Sequence, residues 1–119
     1  MQDNDRDEVL EALRRDLERE QQRPALIASG IEAMRRLIPV AQRDHGASRV
    51  IGRFLLGLYN GKAYPFDLVN LRNLDDELFE DCMTVLRMDN RPQREVHEYF
   101  KNGAAIWEDF KTRWGGKKR

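Results

Sequence analysis

Apolar residues recur every three or four positions along most of this chain, and no stretch alternates apolar with polar residues over four or more positions in a run rich in Val, Ile and Thr. Between Asp3 and Gln22 the apolar positions Val9, Leu10, Leu13 and Leu17 fall at helical spacing among Glu, Asp, Arg and Gln. That narrow stripe predicts an amphipathic helix. Glu20 takes the next position of the seam, so the stripe lasts under two heptads. It predicts docking on the rest of the domain or on a partner, a homodimer through this helix included, rather than a free-standing coiled coil. Pro24 suits the first turn of a second helix, where a missing N–H costs nothing; Ile27, Ile31, Met34 and Ile38 line its apolar face, and Pro39 ends or kinks it.

Ser48 is placed to cap a third helix, Arg49 to Tyr59, with Val50, Ile51, Phe54, Leu55 and Leu58 inward. Gly52 and Gly57 inside it each cost about 1 kcal/mol in helix propensity, which predicts a close crossing by another helix. Asn60-Gly61 is expected as a left-handed cap, and Tyr64-Pro65-Phe66 as a short extended segment laying two rings across the core. Asp67 suits the cap of a turn over Leu68 to Leu71, and Asp75 the cap of a helix with Phe79, Cys82, Met83 and Leu86 inward. Pro92 is expected to open a further helix carrying Val96 and Phe100 and closing at Asn102-Gly103. A last short helix presents Ile106, Trp107, Phe110 and Trp114. The expected fold is therefore all-α, a compact orthogonal bundle of five or six short helices with one extended segment near Tyr64-Phe66. Its expected organisation is an amphipathic helix over residues 1–24, a helical core over 25–114 and a flexible basic tail over 115–119.

Composition narrows the function classes. At 119 residues the length suits one domain. The formal net charge is zero, so any attraction to nucleic acid or a membrane must come from a local patch. Charge alternates in blocks along the sequence, acidic over 1–24, basic over 25–61, acidic over 62–90 and basic over 91–119. Opposite-sign faces of neighbouring helices can then meet. The single Cys, Cys82, excludes an intrachain disulfide and a Cys-based zinc site. The acidic N-terminus without an apolar core, and the lack of a long apolar run, predict a cytoplasmic protein with no membrane association.

Candidate chemistry is sparse. His45 and His97 are far apart in sequence, and His97 has no carboxylate three or four residues further on for a helical metal pair. Cys82 lies mid-helix among apolar neighbours, where a small hydrophobe is expected rather than a nucleophile. The acidic run Asp75, Asp76, Glu77, Glu80 and Asp81 lacks the central Gly of a calcium loop, and no phosphate-binding Gly loop is present. The expectation is no enzyme, no cofactor and no metal. Tyr64, Phe66, Trp107 and Trp114 are the candidate interaction residues. Arg35, Arg36, Arg43, Arg49 and Arg53 are the candidate phosphate contacts of an alternative, DNA-binding reading.

The blocks LYNGKAYPFDL, LDDELFEDCMTVLRMD and RPQREVHEYF resemble an uncharacterised family of small bacterial proteins, a domain of unknown function encoded on integrative and conjugative elements. The resemblance covers about residues 50–110. It implies a genomic setting, accessory cargo of a mobile element, and brings no catalytic residues. With the residues' own chemistry it yields the expected function, a noncatalytic protein-interaction module with an unidentified protein partner.

Overall fold

The computed structural model describes residues 3–116. Among the described residues the chain is all-α, with no strand. It consists of α1 (Asp3–Ala41), α2 (Ser48–Tyr59), α3 (Asp76–Asp89) and α4 (Gly103–Trp114), with short 3-10 turns at Leu68–Asn73 and Val96–Tyr99. Lys117, Lys118 and Arg119 of the expected basic tail lie outside these residues.

The first two expected helices are one. Pro24 and Pro39 both sit inside a single 39-residue helix. Pro24 forfeits the bond to the Glu20 carbonyl, a loss of about 3 kcal/mol in a helix interior. The helix nevertheless continues: on the N-terminal side of Pro24, Arg23 pairs with Glu20 and donates to the Pro92 carbonyl and Arg91 reaches the Glu20 carboxylate, while on its C-terminal side Ile27 and Ile31 pack against the core. α1 is therefore continuous through Pro24, where one helix was expected to give way to the next.

The C-terminal half of α1 carries the core. Ala33, Met34, Leu37, Ile38 and Ala41 are buried, with Ile27 and Ile31 partly so, against Cys82, Val85 and Met88 of α3. The two helices run antiparallel, since Gly30 meets Met88 while Arg36 meets Asp81. The inward face of α3 is offset from the expected one: Val85 and Met88 are buried, while Leu86 is 38% exposed. Asp75 caps α3 as expected, its carboxylate accepting from the Leu78 N–H at 2.8 Å. Asp67 likewise accepts from Val69 N–H at 3.0 Å and starts the first 3-10 turn.

Two caps differ from expectation. Ser48 is the first helical residue of α2, its buried hydroxyl accepting from the His45 N–H, and the flanking Ala47 makes no side-chain cap. Asn60 ends α2 in an extended conformation instead of a left-handed one, its side-chain oxygen accepting from Ala63 N–H. Pro92 opens no α-helix. A capping box between Glu95 and Glu98 folds only the 3-10 turn that buries Val96, and Gly103 opens α4 instead of closing its predecessor.

α4 is held by its indoles. Trp107 donates to the Leu55 carbonyl at 3.1 Å, and Trp114 donates to the Ala41 carbonyl at 2.8 Å, one of the acceptors the end of α1 leaves without a partner. Gly52 is where Trp114 lies on α2, so the close crossing expected there is real: an added Cβ would fall on the indole ring. At Gly103 a Cβ would meet the His97 carbonyl, which is backbone and cannot swing aside. Alanine substitutions should therefore rank by what they strike. In urea melts Gly103→Ala should cost about 3 kcal/mol and Gly52→Ala about 1 to 2 after its gain in helix propensity. Gly116→Ala, which faces open space, should stay within about 0.5 kcal/mol.

Candidate functional site

The four aromatic candidates form structure more than surface. Trp107 is 1% exposed, with Phe110 edge-on to it at 5.1 Å, so it is withdrawn as a contact for any partner of the folded chain. Phe66 sits edge-on to Phe54 at 5.6 Å, and its Cβ approaches Gly57. Tyr64 and Trp114 are half-buried against the core. The segment 64–67 thus bridges the core, and Pro65 and Asp67 are its exposed members.

The five arginines do not converge. Arg36 makes a forked pair with Asp81, which raises the affinity of the guanidinium for its proton. Arg35 pairs with Glu32 and lies over the Phe100 ring at 5.5 Å. Arg43 follows α1 in the exposed turn. Only Arg49 and Arg53, one turn apart on α2, share a groove, which Pro65, Phe66, Asp67 and Asn70 complete with a volume of about 500 Å³. Arg53 donates to the Trp114 carbonyl at 2.7 Å; burial and then the nearby Arg49 lower its pKa. Among the described residues neither Arg49 nor Arg53 forms an ion pair with a carboxylate.

The reactive side chains are scattered. Cys82 is buried in α3, and burial, reinforced by Asp81, pushes its thiol up to about 12, where the nucleophilic thiolate is absent at neutral pH. His97 stands between the Tyr59 and Trp107 rings with a buried Nδ1 that has no hydrogen-bond partner. His45 lies in the turn before α2, its N–H on the Ser48 hydroxyl. Among the described residues no three His, Cys, Asp or Glu side chains gather as metal ligands. No helix among the described residues is long and apolar enough to cross a membrane.

What the sequence reading missed is the unpartnered length of α1. Val9, Leu10, Leu13 and Leu17 are 51%, 57%, 54% and 64% exposed, on a stem that leaves the body near Arg23 and gives the molecule an extent of 60 Å against 31 and 27 Å. Ion pairs one turn apart lace its polar side: Arg14 with Glu11 and Glu18, Arg15 with Glu11, and Arg19 with Asp16. Each adds a few tenths of a kcal/mol to the helix. The missed signal is the phase of the apolar seam, which passes Pro24 unbroken: Leu10, Leu13, Leu17, Glu20, Pro24, Ile27, Ile31, Met34 and Ile38 are alternately three and four residues apart.

At the other end of α3, Asp89 is the last helical residue. Burial and then the neighbouring Glu95 raise its carboxyl to about 6, and a negative charge at a helix C-terminus opposes the dipole. The folded pKa stands above the unfolded value of about 4, so its favourable contribution is complete below pH 4 and is lost as pH rises through 6. Asp89→Asn should therefore stabilise the protein at pH 7, by about 1 kcal/mol after solvent screening at this part-exposed site. That advantage should vanish in melts at pH 4.

Comparison with known proteins returns no curated protein and no solved structure that matches. Residues 31–115 match a family of unknown function, DUF7673. The match runs from Ile31, in the C-terminal third of α1, to the end of α4 and leaves the stem outside it. On that coverage, the chain belongs to the family of unknown function DUF7673.

Proposed function

We propose that the protein is a noncatalytic interaction module whose working surface is the stem of α1. One observation carries this reading: four large apolar side chains aligned on one face of a continuous helix, each more than half exposed, with none of the described residues folded over them. Isolated exposed leucines need no explanation, but a contiguous stripe on an ordered projecting element does. Amphipathic helices dock by laying such anchors into a partner's apolar surface, and a preformed helix avoids part of the ordering cost of binding. The buried thiol of Cys82, with its raised pKa, supports the noncatalytic side of the reading. The proposed setting is cytoplasmic and bacterial, as an accessory protein of a mobile element, and the sequence resemblance supports its bacterial and mobile-element part.

Leu13→Glu with Leu17→Glu tests it, because both positions are exposed. The doubly substituted full chain should melt within about 0.5 kcal/mol of the parent. It should also lose the stem-dependent complexes that the parent forms in solution, read by sedimentation and by affinity capture. Complexes unchanged by the two substitutions would end this reading.

A second reading, DNA binding, is favoured by one observation, the arginine pair that lines the groove beside Phe66 and forms no ion pair among the described residues. Guanidinium groups one turn apart can follow phosphates. This reading expects salt-sensitive retention of DNA, reduced about tenfold by Arg49→Ala with Arg53→Ala. No retention at low salt would remove it.

A further inference from the structure

We propose that the stem pairs antiparallel with the stem of a second copy of this chain, in the one register that sets Asp7 of each copy beside Arg14 of the other. The inference rests on the reading of the stem as an interaction surface, and names its partner.

The seam already has one antiparallel partner. Ile27, Ile31, Met34, Ile38 and Ala41 are its body half, and α3 lies along them in the opposite direction. α3 stops at Asp89, and the turn that follows touches α1 once more, through Arg91 on Glu20 and Pro92 under Arg23. Beyond that point the same seam runs on toward the N-terminus uncovered. A helix seated there continues the line of α3, and the free stem of a second copy has the matching length by symmetry. A two-fold axis makes the contact self-complementary.

Charge selects the register. Leu10, Leu13 and Leu17 are core positions of the heptads, flanked on one side by Asp7 and Arg14 and on the other by Val9 and Asp16. A parallel pair sets Arg6 against Arg6 and Glu20 against Glu20 within the seam. An antiparallel pair centred near residue 15 sets Arg14 against Arg14 and Asp16 against Asp16. Centred between Glu11 and Ala12, the antiparallel pair stacks Leu10 on Leu13 of the other copy and the aliphatic part of Arg6 on Leu17. It also brings Asp7 to Arg14 twice. Asp7 forms no ion pair among the described residues, whereas Arg14 is held by Glu11 and Glu18 on its own helix and exchanges partners on pairing. The stems overlap for about 25 Å and bury on the order of 1,000 Å², where specific interfaces begin. The dimer is accordingly weak and concentration-dependent.

Sedimentation equilibrium of the full chain, up to about 1 mM, tests this. The parent should show a monomer–dimer equilibrium that Leu13→Glu with Leu17→Glu abolishes. Asp7→Arg alone and Arg14→Asp alone should each weaken it about tenfold, by placing like charges at both contacts. The doubly swapped chain should recover it, and so should an equimolar mixture of the two single variants. Circular dichroism confirms that each variant is folded. A dimer lost with the leucines but indifferent to the swaps overturns the register. A chain monomeric at all concentrations, whose stem still captures a different polypeptide, overturns self-pairing and leaves the interaction reading standing. A monomer with no stem-dependent capture removes both.

Discussion

α1 has 39 residues and the helix packed along it has 14, and most of the molecule's shape follows from that mismatch. Helix pairs are stabilised by burying one seam against another, and the seam of α1 keeps its phase over the whole helix while α3 covers only the half from about Ile27 to Ala41. Where α3 is present, Met34 and Leu37 are fully buried. Where it is absent, residues of the same chemistry stand in water. Core and stem thus differ in what lies opposite them, not in what they are made of.

The remaining elements are tied to the end of α1 and to one another. Trp114 ties the end of α1 to α4 through the Ala41 carbonyl, Arg53 of α2 takes the Trp114 carbonyl, and Trp107 takes the Leu55 carbonyl within α2. Two of these acceptors are helix-terminal carbonyls that would otherwise need water or a cap. Gly52 and Gly103 permit the approaches that bring the indoles to them. The aromatic residues of α4 and the bridge at 64–67 are therefore committed to architecture, which is why Trp107 has no surface to offer.

Local chemistry made much of this legible in the sequence. The Asp75 and Asp67 caps and the glycine crossing at Gly52 follow from side-chain geometry within a few residues. The misreadings share one cause, competition between a local signal and a longer-range one. Pro24 is a strong breaker locally, yet the helix runs through it, with Arg23, Glu20 and Arg91 in contact on one flank and Ile27 and Ile31 packed on the core on the other. Pro92 is a good first residue for a helix, but Val96 must reach the core within a few residues, and a capping box over one 3-10 turn achieves that. Leu86 reads as inward by composition, whereas the side of α3 that meets α1 is set by Cys82, Val85 and Met88. Which arginines share a groove depends on tertiary placement: Arg35 and Arg36 face Phe100 and Asp81, Arg49 and Arg53 face Phe66.

The stem's order has a physical consequence of its own. A segment so rich in charge would be disordered if severed, since about twenty residues of isolated helix are marginal in water. Here it is nucleated by the folded half of α1 and needs only propagation, one hydrogen bond per residue, helped by the Arg–Glu and Arg–Asp pairs along its polar side. The apolar stripe is therefore presented in a fixed orientation relative to the core, in phase with the seam that α3 occupies. A partner helix meets a rigid continuation of a surface already shaped for antiparallel packing. It loses less entropy on binding than it would against a flexible tail.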